Sequence, residues 1–226
     1  MRKLYAIYTV NNFMPMIYEP FAKKFEEKNP EFKVFNIMDD SLLVDTREYG
    51  EMTPVIASRM LNYCKAAEAS GAEGIIVTCT SVNKATAMIR PFLNIPIINI
   101  EEPVAEMAVR NGKKIGVLAT LPTSPAAIGR VIMEKAAEMG KEVELVNCVV
   151  DGAFDVYCAG DIKKHDKMVC DKLYELSKKV DVIAFAQVSM SKVMFNPDDI
   201  PVPVYMIGDS GFDRIGELME KKEINI

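Results

Sequence analysis

The chain has 226 residues, a formal net charge of −5 and a pI near 5.1, a balance that offers no basic face to nucleic acid. Half of the residues are apolar and 26% are charged, as expected of a packed soluble core, and no apolar run approaches the roughly 20 residues of a membrane span. The opening MRKLYAIYTV has neither a long apolar stretch nor a small-residue cleavage site, so a cytoplasmic protein is expected.

The chain alternates strand and helix. Lys3–Val10 reads as a strand, Met16–Lys28 as an amphipathic helix, Phe32–Met38 as a second strand and Thr53–Ser70 as a helix ending at Gly71. Gly74–Thr78 is a buried strand, Lys84–Pro91 a short helix and Pro96–Ile100 another strand. From Pro103 the cycle restarts: helix Val104–Asn111 stopped by Gly112, strand Lys114–Ala119, helix Pro125–Met139 stopped by Gly140, and strand Glu142–Val149. Helix Ile162–Lys179 leads into strand Val182–Ala186, and strand Val202–Ile207 and helix Gly211–Lys221 close the chain. Strands separated by helices imply parallel sheets, and the restart implies two of them.

An internal repeat supports this division. Residues 73–84, EGIIVTCTSVNK, have a degenerate echo in 181–192, DVIAFAQVSMSK, with Ile75 and Ile183, Ser81 and Ser189, and Lys84 and Lys192 each 108 positions apart. Lys113–Thr120 likewise parallels Arg2–Thr9, and the strand after Pro96 parallels that after Pro203. The expected fold is therefore α/β with two pseudo-symmetric domains, each a parallel sheet flanked by helices, and a cleft between them. Residues 1–100 plus 205–226 form the first domain, with Cys79, and 101–204 the second, with Gln187 at the aligned place.

The five cysteines, Cys64, Cys79, Cys148, Cys158 and Cys170, are odd in number and lack C-x-x-C spacing, and His165 is the single histidine. That is neither a disulfide framework nor a zinc site, so reduced thiols and no metal are expected. Cys79 stands apart because it ends a strand and precedes a helix, where unpaired amides and the positive end of the helix dipole favour a thiolate. Cys64 and Cys170 sit in helical patterns and Cys148 near a strand end; all three read as small core residues. Cys158, in a loop, and His165, in the first turns of a helix, are the remaining candidates for a second acid or base. Asp39, Asp40 and Ser41 after the second strand are either a turn cap or a pocket wall.

The strand-turn GIIVTCTS resembles the first cysteine motif of the aspartate/glutamate/hydantoin racemase superfamily, and Thr120-Leu-Pro-Thr123 resembles its carboxylate-binding turn. The turns Thr9-Val10-Asn11-Asn12 and Asp39-Asp40-Ser41-Leu42-Leu43, with Ala186-Gln187-Val188-Ser189-Met190, resemble a hydantoin-racemase-like branch. The resemblance implies a cofactor-independent enzyme acting by proton transfer at the α-carbon of a small amino acid, hydantoin or related carboxylate. Cys79 is then the acid/base, and Thr9, Asn11, Thr80, Ser81, Thr120, Thr123, Ser124, Gln187, Val188 and Ser189 contact the substrate. It also suggests a homo-oligomer. Two-base members carry a second cysteine where this chain has Gln187, an amide with no useful acid–base capacity. Single-cysteine chemistry by a decarboxylase, lyase or cis-trans isomerase is the alternative, as is a small-carboxylate-binding protein without turnover. Neither a G-x-G-x-x-G nor a P-loop occurs, so no cofactor is expected.

Overall fold

A computed structural model of the chain describes residues 1–11, 13–122 and 124–224; the side chains of residue 13 and of 222–224 are not described. The chain divides into two compact units, Met1–Ile100 with Gly208–Ile226 and Glu101–Ile207.

The first unit is built on four parallel strands in the order β2-β1-β3-β4: β1 (Arg2–Tyr8), β2 (Phe32–Met38), β3 (Ala72–Val77) and β4 (Ile97–Asn99). The register pairs Tyr5 with Ile75 and Ile7 with Val77, so these side chains share one face. That face packs on Ile56, Met60 and Cys64 of α4 (Pro54–Ala69), on Ala85 and Ile89 of α5 (Asn83–Ile89), and on Leu42 of α3 (Ser41–Tyr49). Thr53 caps α4 by accepting from the Ile56 amide, with Pro54 at the first helical position. The opposite face meets α10 (Asp209–Ile224): a Cβ on Gly74 would touch Met219 and Ile215. Phe25 of α2 (Lys23–Lys28) lies 5.6 Å from the Phe32 ring and 6.1 Å from the Phe212 ring.

The second unit repeats the order, β6-β5-β7-β8, with β5 (Lys114–Ala119), β6 (Glu144–Val149), β7 (Val182–Phe185) and β8 (Val204–Tyr205), again all parallel. Leu118, Ile183 and Phe185 pack on Val169, Leu173 and Leu176 of α9 (Ile162–Ser177) and on Ala153 of α8 (Ala153–Cys158). Phe185 is fully buried and contributes about 2–3 kcal/mol. Helices α6 (Glu102–Asn111) and α7 (Ser124–Glu138) complete the unit. The expected α/β fold with two parallel sheets flanked by helices is the fold observed.

Two expectations need correction, and the stop at Gly112 holds in a different conformation from the usual left-handed one. The single helix over 16–28 is α1 (Phe13–Ile17), a π-helical turn (Tyr18–Ala22) and α2, because Pro20 has no N–H to donate and a wider turn accommodates its ring. Residues 153–158, read as loop, form α8 after Gly152, whose φ of 72° reverses the chain. Gly112 ends α6 in an extended conformation, φ −148°. Its lack of a side chain answers a close approach: a Cβ there would lie 2.8 Å from a Val182 methyl.

Candidate active site

Loops at the carboxyl ends of parallel strands are where such sheets place their chemistry. In the first unit β3 is pinned at this end by Thr78, whose amide and Oγ1 both donate to the Ile7 carbonyl, at 3.1 and 2.8 Å. Cys79 follows in extended conformation, its carbonyl accepting from the Val82 amide at 3.3 Å, and Thr80–Val82 form a single 3₁₀ turn into α5. Cys79 and Thr80 are half-buried and Ser81 is exposed. Thr9, at the end of the neighbouring β1, is 2% exposed, and its Oγ1 is buried without a hydrogen-bond partner among the described residues. Asn11 is exposed and donates to Asp40 at 3.0 Å; Asn12 lies outside the described residues.

The second unit has the same local geometry. The Ala186 amide donates to the Leu118 carbonyl at 2.9 Å, Gln187 is extended, and its carbonyl accepts from Met190 at 3.2 Å across the 3₁₀ turn Val188–Met190. Here the strand-end residues bond to each other. Gln187 Oε1 accepts from the Thr120 amide at 2.7 Å, from Thr120 Oγ1 at 3.1 Å and from the Leu121 amide at 3.2 Å. Thr120, Ser124, Gln187 and Ser189 are buried and Val188 is half-buried, whereas Thr123 lies outside the described residues.

Sequence reasoning missed Arg59 and Tyr63 on α4. Asp39, at the end of β2, accepts from the Ser41 amide at 3.1 Å and its hydroxyl at 2.5 Å, from Arg59 at 2.5 Å and from Tyr63 at 2.7 Å. Arg59 also pairs with Asp45 at 2.5 Å. Burial would raise the Asp39 pKa, but the hydrogen bonds from Ser41, Tyr63 and Arg59 outweigh it and hold the carboxyl at about 2. A carboxylate with four donors is a structural joint between β2, α3 and α4, which favours the turn reading of Asp39 over the pocket-wall reading. Its pKa is lower folded than unfolded. The stabilisation is therefore full above the unfolded value of 3.8 and is lost as pH falls through about 2. The Asp39 carboxyl is only 12% exposed, and the loss amounts to about 2 kcal/mol. Urea unfolding of wild type at pH 6 and pH 2 should show this loss over and above that of Asp39→Asn. Equal pH dependence in the two proteins would remove Asp39 from that role.

The other thiols sit elsewhere. Cys64 is fully buried, which pushes its pKa up to about 12, and burial likewise raises Cys148 on β6 and Cys170 on α9. Cys158 is exposed at the end of α8. His165 is 1% exposed, its Nδ1 2.8 Å from Asp166 and its ring edge-on to Tyr157 at 5.1 Å, the setting of a packing residue. Among the described residues no three His, Cys, Asp or Glu side chains converge as metal ligands, and no helix is long and apolar enough to cross a membrane.

Known structures share this architecture. Glutamate racemase from Bacillus anthracis matches over 99% of this chain and 83% of its own, with a TM-score of 0.70 and 16% identity. Allantoin racemase from Klebsiella pneumoniae matches over 98% and 89%, with a TM-score of 0.70 and 12% identity. A double mutant of arylmalonate decarboxylase matches over 97% and 93%, with a TM-score of 0.53 and 14% identity. No curated protein matches the chain. At these identities the likeness establishes the fold. The sequence profile of Asp/Glu/hydantoin racemases, however, matches residues 17–215, a stretch that includes both the Cys79 and the Gln187 turns, and the chain belongs to that family.

Proposed function

We propose that the protein is a cofactor-independent enzyme that transfers a proton at the α-carbon of a small amino acid, hydantoin or related carboxylate, with Cys79 as the acid/base. The observation that carries this reading is the placement of Cys79. Of the five thiols it alone immediately precedes a 3₁₀ turn that leads into a helix, half-buried two residues beyond the end of β3. A thiolate there takes the α-proton and leaves an enolate; the thiol then returns a proton to carbon. Thr9, Thr80 and Ser81 supply hydroxyl donors for the charge that develops.

Gln187 favours a one-sided version of this chemistry. An amide neither gives nor takes a proton near neutral pH, and its oxygen is already occupied by Thr120 and Leu121. In a decarboxylase variant the C–C bond to a carboxyl group breaks, carbon dioxide leaves, and the Cys79 thiol protonates the carbanion before regaining a proton from solvent. Proton–deuterium exchange followed by NMR in D₂O, on aspartate, glutamate, hydantoins and small malonates, tests the proposal. Wild type should incorporate deuterium or release carbon dioxide where Cys79→Ser does neither.

Alkylation gives an independent reading of the thiol. Iodoacetamide at neutral pH is expected to modify Cys79 fastest, ahead of the exposed Cys158 at the end of α8, with Cys64 last because burial opposes its ionisation. Peptide mapping by mass spectrometry over time measures the order. Labelling of Cys79 no faster than Cys64 would sink the activated thiolate.

A further inference from the structure

The turn after β5 presents two backbone amides and a hydroxyl, from Thr120 and Leu121, to one point in space. Successive backbone N–H groups that converge on one point, here joined by a hydroxyl, form the kind of concavity in which proteins hold an anionic oxygen, because every group lining it is a donor. In this chain the point is filled from within by Gln187 Oε1, at 2.7, 3.1 and 3.2 Å. The orientation of the amide follows from chemistry: two of the three donors are backbone N–H groups, which cannot accept, so oxygen and not nitrogen must face them. Both partners are buried, Thr120 3% and Gln187 8% exposed.

The first unit has a matching strand-end turn, with Cys79 at the position before its 3₁₀ turn that Gln187 holds in the second. Thr9 Oγ1, at the end of β1, is buried without a partner among the described residues.

We infer that Gln187 is a specificity-determining residue that acts as a built-in occupant of the second unit's anion cradle, closing Thr120 and Leu121 to a carboxylate ligand. The glutamine oxygen stands where a ligand's carboxylate oxygen would otherwise sit. A small carboxylate is then held by other donors, and Thr120 keeps the turn in its binding shape without taking part in binding.

The test uses the full-length, ¹⁵N-labelled protein and malonate as the probe. In wild type the Thr120 and Leu121 amides should be protected from hydrogen exchange and should not shift on titration with malonate. Gln187→Ala should raise their exchange at least tenfold and give saturable shifts at both amides. Gln187→Glu, which keeps a carboxyl oxygen at the same reach, should restore protection and silence the response. If Gln187→Ala does not fold, Gln187→Ser gives the same readings with a shorter polar side chain. Saturable shifts at these amides in wild type would overturn the inference, and so would their absence in the shortened variant. Every reading is repeated in a Cys79→Ser background, where no turnover is needed, so that failure here and failure of the Cys79 proposal are separate results.

Discussion

Replacing Cys79 with serine is expected to lower α-proton exchange or decarboxylation by about 10³-fold, within the span general acid–base groups contribute. The substitution is nearly isosteric and leaves the Thr78 anchors to Ile7 in place. A thiol has an ordinary pKa near 8.5 and is a few per cent ionised at neutral pH, whereas an alcohol has no accessible anion there. The loss should therefore fall on kcat, with KM little changed and the unfolding midpoint within experimental error of wild type. Retention of more than a tenth of the wild-type rate would end the assignment of Cys79.

The stereochemistry of the wild-type reaction carries the second half of that result. Deuterium incorporated with retention, or carbon dioxide released without racemisation, is the outcome a single thiol predicts. Inversion requires a second proton carrier. His165 is a poor one, since its ring is buried against Tyr157 and its Nδ1 is engaged by Asp166. Cys158, exposed at the end of α8, is the thiol to replace next.

Strong, periodic elements of this fold were legible in the sequence because burial wrote them there. The strands at 32–38 and 114–119 coincide with the observed ones, since each runs between charged or turn residues with clear edges. The repeat, read from spacing, reappears as two sheets of the same strand order and as matching 3₁₀ turns after Cys79 and Gln187. Helix α3 was not legible. Among SLLVDTREY only Leu42 is buried and Val44 is exposed, so the segment carries no apolar stripe, and its Asp39–Ser41 start resembles a turn. The candidate site was legible to the extent that it is local. Cys79, Thr80 and Ser81 lie in one short motif, whereas Arg59 and Tyr63 reach Asp39 from a helix twenty or more positions on, and no spacing rule announces such a contact. Nor does sequence alone show that Gln187 turns its oxygen toward Thr120.

Gly211→Ala in α10 is expected to destabilise the protein by about 2–3 kcal/mol, although simple helix propensity predicts the reverse. Alanine in place of glycine within a helix is worth about 1 kcal/mol of added stability. Against this, a Cβ at Gly211 would lie 2.7 Å from Ile100 Cγ1, 2.8 Å from the Ile100 carbonyl oxygen and 3.2 Å from its Cα. Two of those atoms are backbone. The Ile100 amide donates to the Val77 carbonyl at 2.9 Å, so the segment cannot withdraw without breaking its link to the core strand β3. The helix must lift instead, and overpacking of this kind costs about 1–3 kcal/mol or more. Thermal unfolding should show Tm lower by about 5–10 °C for a chain of this size. Gly216→Ala is the comparison, because its Cβ would meet a side chain, the edge of the Phe25 ring at 2.9 Å, where that of Gly211 meets the Ile100 backbone as well. A Gly211→Ala protein as stable as Gly216→Ala would show that α10 has slack. If the clash is real, its effect extends to chemistry as well. Val77 is two residues from Cys79, and the same variant should lose α-proton exchange at temperatures well below its Tm.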